Sequence, residues 1–267
     1  MKLQLLPSTF EPGGAASARQ HLTCLVIDDA VTVDAGSLAM AASSVQQRRI
    51  RDIVLTHAHL DHIAGLPLFI DDLFSTLTEP ITVHATQPVI DTLERDVFNW
   101  SVYPRFSELT NGNGPVLKYR VFDSSEKFLV RHLTFHSVEV NHKVPSTGFV
   151  ISDASCTIGF SGDTAESDAF WALTNSYESL SAILIECAFP DELEDLAQAS
   201  HHLTPRRLKR ELAKSRLGED CPVYIINIKP MFRDRIMSQL AELGLSNLKV
   251  LEVGKIYDWV NHESRAI

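Results

Sequence analysis

The sequence predicts an α/β protein built as a four-layer αββα sandwich, and three observations carry that prediction. Strand-like apolar runs fall into two β-rich halves, each half also carries helix-compatible segments, and the residues best suited to hold metal follow strands while lying far apart in the chain. Ligands so separated meet only where several strand ends converge, so the metal-bearing loops are expected along one edge of the sandwich. The 267 residues, 45% hydrophobic and 22% charged, form an ordinary globular composition with ample core, read as one domain over residues 1–267.

The elements follow in order. Leu3 to Leu6, Leu22 to Ile27 and Val31 to Val33 are short apolar runs separated by Gly13-Gly14 and Asp28-Asp29, the pattern of consecutive strands joined by turns. Ser37 to Gln47 is alanine-rich and helix-permissive, Asp52 to Thr56 reads as a buried strand, and Ile63 to Leu77 has apolar residues at helical spacing. Ile81 to Ala85 is a strand, Val89 to Val97 a helix, and Asn111-Gly112-Asn113-Gly114-Pro115 a loop. The second half brings strands at Tyr119 to Phe122, Lys127 to Val130, Leu133 to Val140, Gly148 to Ile151 and Cys156 to Phe160. Ala182 to Glu186 and Val223 to Ile228 are later strands, followed by helices that begin at Pro205 and Arg233.

His57-Ala58-His59-Leu60-Asp61-His62 packs three imidazoles and a carboxylate into six residues at a strand-to-helix junction. Imidazole and carboxylate suit zinc and related divalent ions; alternation along an extended backbone puts His57 and His59 on one side, with Asp61 and His62 on the following turn for a second ion. A histidine-rich loop without metal is the alternative. Two further candidates sit just after strands: His142 behind Val138-Glu139-Val140-Asn141, and Asp163 behind Ser161-Gly162, where glycine lets the backbone approach closely.

Charge and composition exclude several classes. Acidic residues outnumber basic ones 34 to 24, a net charge of −10, which disfavours an extended nucleic-acid surface while leaving room for a small cationic pocket. Cys24, Cys156, Cys187 and Cys221 are widely spaced with no C-x-x-C pair and read as buried strand thiols of a reducing compartment. The opening residues are too short an apolar run for a secretory leader, and no stretch is long enough to span a bilayer, so the expected location is the cytoplasm.

Thr56-His57-Ala58-His59-Leu60-Asp61-His62-Ile63-Ala64-Gly65-Leu66 resembles the signature of the metallo-β-lactamase superfamily and, within it, of the class II cyclic-nucleotide phosphodiesterases. The blocks from Val140 to Phe149, Ser161-Gly162-Asp163-Thr164, Leu184 to Pro190, His202-Leu203-Thr204-Pro205 and Ile228-Lys229-Pro230 are similar to that family's later blocks in the same order, from about Leu3 to Val253. The resemblance implies two divalent ions, Zn²⁺ the expected pair. His57, His59 and His142 would hold one, Asp61, His62 and Asn227 the other, and Asp163 would bridge them. Asn227 stands where the family has a histidine; its amide is a weaker donor, so the second site is expected to be loose or to take Mn²⁺ or Mg²⁺, unless the neighbouring His201 compensates.

The implied activity is hydrolysis of 3′,5′-cyclic nucleotides, cyclic AMP and/or cyclic GMP, to nucleoside 5′-monophosphates by water that the metals activate. Asp61, Glu186 and His202 are the catalytic candidates. His202, oriented by Glu186, would protonate the leaving oxygen; its bland alternative is a histidine capping local backbone. Lys143 and Lys229 would neutralise phosphate oxygens or are ordinary surface charges. Asp34 resembles the family's aspartate that orients metal ligands. His84, His132 and His136 read as partly buried histidines with local partners, and Trp171 as core. A tRNase Z-like RNA phosphodiesterase and a metal-binding or sensing homologue with little activity are the alternatives. No membrane partner is expected, and homodimerisation is compatible with the family.

Overall fold

A computed structural model describes residues 1–218 and 220–259, which form two compact units: Lys2–Asp123 with Val253–Tyr257, and the described residues of Ser124–Glu252 with Met1, Asp258 and Trp259. In chain order the first unit contains β1 (Lys2–Leu5), β2 (Leu25–Ile27), β3 (Val31–Val33), α1 (Leu38–Ala41), α2 (Ser44–Arg49), β4 (Asp52–Val54), α3 (Leu60–Ile63), α4 (Gly65–Leu73), β5 (Ile81–Ala85), α5 (Gln87–Thr92), β6 (Thr110–Asn111), β7 (Gly114–Pro115) and β8 (Leu117–Val121). The second contains β9 (Lys127–Val130), β10 (Leu133–Glu139), β11 (Thr147–Ser152), β12 (Thr157–Phe160), α6 (Asp168–Thr174), β13 (Ala182–Glu186), α7 (Glu194–Ser200), α8 (Pro205–Leu212), β14 (Val223–Ile226), α9 (Arg233–Glu242) and β15 (Leu248–Val250), and β16 (Ile256–Asp258) is the last strand among the described residues.

Each unit is organised around a seven-stranded mixed sheet, in the orders β16-β1-β2-β3-β4-β5-β8 and β15-β14-β13-β12-β11-β10-β9. Strands with no helix between them pair antiparallel: β1 with β2 and β2 with β3, then β9 with β10, β10 with β11 and β11 with β12. Within the two large sheets β3 to β4 to β5 to β8 and β12 to β13 to β14 to β15 pair parallel, because helical crossovers separate those strands. Parallel pairing brings the carboxyl ends of neighbouring strands to one edge, the place where α/β sheets carry ligands. Asp34 and Thr56 therefore leave the adjacent β3 and β4 on the same edge. Asp163, Glu186 and Asn227 do the same on β12, β13 and β14, and His142 joins them because β10, two antiparallel steps from β12, runs in the same direction.

The core explains the helices. In the first unit Leu66, Phe69 and Ile70 of α4 are buried in one cluster with Ile53, Val83 and Leu117; in the second, Phe170 and Trp171 of α6 and Leu208 of α8 are buried with Ile183 and Ile225, so Trp171 is core as expected. Several boundaries differ from the sequence pattern for local reasons. The segment Ser37 to Gln47 splits because Ser43 takes an extended N-cap conformation and forms a capping box with Gln46. The helix expected over Ile63 to Leu77 begins earlier, at Leu60, and ends at Leu73. Leu22 to Ile27 is a strand only from Leu25, since Thr23 N–H is taken by the Asp61 carbonyl at 2.8 Å. The helix expected over Val89 to Val97 stops at Thr92 and continues as one π-helical turn, Leu93–Val97. The Asn111–Pro115 loop is a two-stranded hairpin, and α6, α7, β15 and β16 carry no clear periodic signal.

Two glycines set the metal-motif loop against the backbone beneath it. A Cβ on Gly36 would lie 2.0 Å from the Asp61 carbonyl oxygen and 2.8 Å from the Thr23 backbone, and one on Gly65 would lie 2.5 Å from the Ala35 carbonyl oxygen. Gly162, by contrast, serves a left-handed turn with φ 59°. Gly36→Ala is expected to push the Asp61 loop away and to cost about 1–3 kcal/mol or more in overpacking; urea unfolding of the variant measures it.

Candidate metal centre

In the first unit the short strand β4 delivers Thr56 and His57, and α3 carries Asp61 and His62, with His59 as its N-cap. Asp61 and His62 thus sit on a helical turn, and His57 and His59 lie in the loop beyond the strand rather than on it. The rings nevertheless gather: the His57 centroid is 4.6 Å from that of His59 and 4.2 Å from that of His62.

Beneath them lies Asp34, fully buried in a left-handed turn with φ 61°. Its Oδ1 accepts the Thr56 N–H at 2.9 Å, its Oδ2 accepts the Thr56 hydroxyl at 2.9 Å, and Oδ2 lies 2.7 Å from His62 Nδ1. Burial pushes the Asp34 carboxyl up, while His62 and Thr56 oppose the shift. Because the Thr56 hydroxyl spends its proton on Asp34, its oxygen accepts from His57 Nδ1 at 2.9 Å. One carboxylate therefore sets the tautomer of two imidazoles, directly for His62 and through Thr56 for His57, so that both rings present Nε2 as the acceptor nitrogen. His62 Nε2 and Asp61 Oδ2 lie 3.9 Å apart. Two lone-pair donors at that spacing suit a cation between them, since bonds of about 2.0–2.2 Å from each side span the gap.

The second unit brings His142, Asp163 and His202 together, with ligand atoms within 4.8 Å of one another. His142 Nδ1 donates to the His201 carbonyl at 3.1 Å, which again leaves Nε2 as the acceptor nitrogen. Glu186 is fully buried at the end of β13; Oε1 accepts the Thr164 N–H and lies on His202 Nδ1, both at 2.7 Å, and Oε2 accepts the Leu203 N–H at 3.2 Å. Burial raises the Glu186 carboxyl, with His202 opposing and Asp163 adding to the shift. For His202 burial favours the neutral ring, but the charge of Glu186, its hydrogen bond and the charge of Asp163 prevail, and the imidazole titrates above its ordinary value.

Asn227 adopts a left-handed backbone, φ 53°, and its Nδ2 donates to Asp163 Oδ1 at 2.7 Å. It enters the site through that hydrogen bond, with the amide nitrogen rather than the oxygen turned to the carboxylate. His201 bonds Asn141 Oδ1 at 2.9 Å on the surface and joins none of the histidine–carboxylate clusters among the described residues. Lys229 is half-buried and near enough to His202 to oppose its charging, whereas Lys143 is exposed. His84 pairs with Asp52 at 2.9 Å and His136 with Tyr177 at 3.0 Å, as local partners predict; His132 is instead exposed. All four cysteines are free thiols. The residues missed from sequence are Thr56, Glu166 and Arg207, polar side chains whose roles depend on contacts across the fold.

Residues 29–218 match the sequence family described as the beta-lactamase superfamily domain. The chain belongs to the metallo-β-lactamase superfamily. Unliganded yeast PDE1 has the same fold, with a TM-score of 0.75 at 17% identity over 96% of this chain and 98% of that one. A probable 3′,5′-cyclic-nucleotide phosphodiesterase from Yersinia pestis is 30% identical over 76% of this chain and 67% of its own length, and a 3′,5′-cyclic-nucleotide phosphodiesterase from Schizosaccharomyces pombe is 29% identical over 69% and 56%. The ribonuclease Z of Limosilactobacillus fermentum is 29% identical over 42% of this chain and 34% of its own. The chain thus spans about two thirds of the first relative and just over half of the second. The metallo-β-lactamase fold implies divalent metal ions, and the imidazole and carboxylate donors of both clusters fit them.

Two predictions follow from the geometry of these clusters. Thr56→Val keeps the shape but removes the hydroxyl between His57 and Asp34, and is expected to weaken metal binding by about 10–100-fold with the chain still folded, as competition with a chelator would measure. Asn227→His replaces an amide donor with an imidazole, a substitution its left-handed backbone tolerates, and is expected to raise the number of tightly held zinc ions per chain in quantitative metal analysis. Two tight ions in the unmodified protein, with no change in the variant, would overturn that view of Asn227.

Proposed function

We propose that the chain hydrolyses 3′,5′-cyclic nucleotides, cyclic AMP and/or cyclic GMP, to nucleoside 5′-monophosphates, the two units acting as one hydrolase domain in the cytoplasm. The observation that carries this reading is the buried Glu186–His202 pair, 2.7 Å long, beside Asp163 at the end of parallel strands, in a chain whose relatives include cyclic-nucleotide phosphodiesterases. His57, His59 and His142 are proposed to hold one Zn²⁺, Asp61 and His62 a second and weaker ion, with Asp163 shared and Asn227 acting on that shared carboxylate. Bound divalent ions would supply a nucleophilic hydroxide near neutral pH, by lowering the pKa of water to about 7, and would offset charge on the phosphate.

The chain's own residues do the rest. Asp34 holds the His57 and His62 rings in their ligating tautomers. Glu186 holds Nδ1 of His202, so that a proton on Nε2 is the one available to the departing 3′ oxygen. Lys229 adds a positive charge beside His202 that suits a phosphate oxygen. An RNA substrate fits less well, since many phosphates call for a cationic surface and the net charge is −10.

Assay of the purified protein against cyclic AMP, cyclic GMP, bis(p-nitrophenyl) phosphate and a precursor tRNA, with metal content measured in parallel, tests the reading; tRNA cleavage without cyclic-nucleotide hydrolysis would overturn it. Asp61→Ala or His59→Ala is expected to lose more than about a hundredfold in rate together with metal. His202→Ala should keep its metal and lose cyclic-nucleotide hydrolysis selectively, because p-nitrophenolate needs little protonation to leave, and Glu186→Gln should show a smaller defect in the same direction. Equal loss on both substrates accompanied by loss of metal would make His202 a ligand instead.

A further inference from the structure

The segment that carries His202 is shaped from outside itself. Helix α7 ends at His201, a non-glycine residue in the left-handed conformation with φ 57°, and the chain then turns through His202 to reach α8. Three hydrogen bonds hold the turn. His202 N–H donates to the Ala197 carbonyl at 2.8 Å, Leu203 N–H donates to Glu186 Oε2 at 3.2 Å, and Arg207 Nη1 donates to the His202 carbonyl at 2.8 Å.

Arg207 is a charged side chain only 5% exposed, and a buried cation persists only if it is fully paired. Its pairing comes from Glu166: Nε donates to Oε1 at 2.7 Å and Nη2 to Oε2, a bidentate fork that holds the Glu166 carboxyl below its ordinary range. Glu166 is in turn tied to the His142 segment. Its carbonyl accepts from Asn141 Nδ2 at 3.0 Å, Asn141 Oδ1 bonds His201 Nδ1 at 2.9 Å, and His142 Nδ1 donates to the His201 carbonyl at 3.1 Å. The carbonyls of two consecutive residues, His201 and His202, thus hold His142 on one side and Arg207 on the other.

We propose that Arg207, locked in place by Glu166, is a positioning residue for the proposed phosphodiesterase reaction, fixing the His202 backbone so that the imidazole faces the leaving oxygen. The proposal rests on His202 being the proton donor. Glu186 fixes one ring nitrogen and so the direction of the ring about that bond; Arg207 fixes the peptide from which the ring hangs. Lysine cannot substitute fully, since an ammonium lacks the planar fork that engages Glu166 while a further N–H reaches a carbonyl.

The test uses the metal-loaded full chain with Arg207→Ala, Arg207→Lys and Glu166→Gln, assayed on cyclic AMP and on bis(p-nitrophenyl) phosphate beside His202→Ala. Arg207→Ala is expected to lower kcat on cyclic AMP by about 10–100-fold, the scale of a misplaced catalytic group, with KM, metal content and turnover of the p-nitrophenyl ester little changed. Added methylguanidinium should restore part of the loss, and Arg207→Lys and Glu166→Gln should show smaller losses of the same selectivity. Equal loss on both substrates, or undiminished cyclic AMP hydrolysis, overturns the proposal; if Arg207→Ala does not fold, the other two variants decide by the same criteria. Selective loss in His202→Ala without it in the Arg207 and Glu166 variants removes the clamp alone. Unselective behaviour of His202→Ala removes the proton-donor reading and the clamp with it.

Discussion

A buried carboxylate must find donors, and this protein turns that requirement into architecture twice. Asp34 and Glu186 are both withdrawn from water, and each answers the cost with a threonine backbone N–H and a histidine Nδ1. The consequence is orientation. His62 and His202 are each left with one ring nitrogen, Nε2, for outward chemistry, and the segments that carry Thr56 and Thr164 are pulled down onto the strand ends. Removing either carboxylate would leave several polar groups without their partner and the histidine it holds without a fixed tautomer.

The two carboxylates are asked to do different things by what surrounds them. Asp34 works on a cluster of imidazoles at 4–5 Å ring separation, where Thr56 extends its reach to His57, and this is the arrangement of ligands around a cation. Glu186 works on a single imidazole flanked by Asp163 and by the ring of Phe189, 5.6 Å away, so that its charge raises the ring's affinity for a proton in a partly apolar wall. Asn227 adds a neutral donor to Asp163, at a position where the sequence resemblance led us to expect an imidazole ligand.

Topology makes these placements possible. Parallel pairing of β3 with β4, of β12 with β13 and of β13 with β14 aligns strand ends that are far apart in sequence, so side chains with no local relation emerge side by side. The loops beyond those ends are short of room, and Gly36 and Gly65 are the only residue type that allows the backbone under Asp61 to close.

The sequence alone marked His57, His59, Asp61 and His62 as candidate metal ligands, because four ligating residue types in six positions are local chemistry that no fold needs to assemble. Order of motifs was enough to mark His142, Asp163, Glu186 and His202, and the fold class with them. Strand and helix types were legible where periodicity was strong, as in β4, β13 and α4. Tertiary structure decided what depends on contacts between distant segments: that Thr56 links His57 to Asp34, that Asn227 turns its nitrogen to Asp163, that His201 faces Asn141, and that Arg207 and Glu166 brace His202. A hydroxyl, an amide or a guanidinium carries no role in its own sequence neighbourhood, since each can donate or accept in many settings. Their roles are fixed by partners that only the folded chain brings within 3 Å.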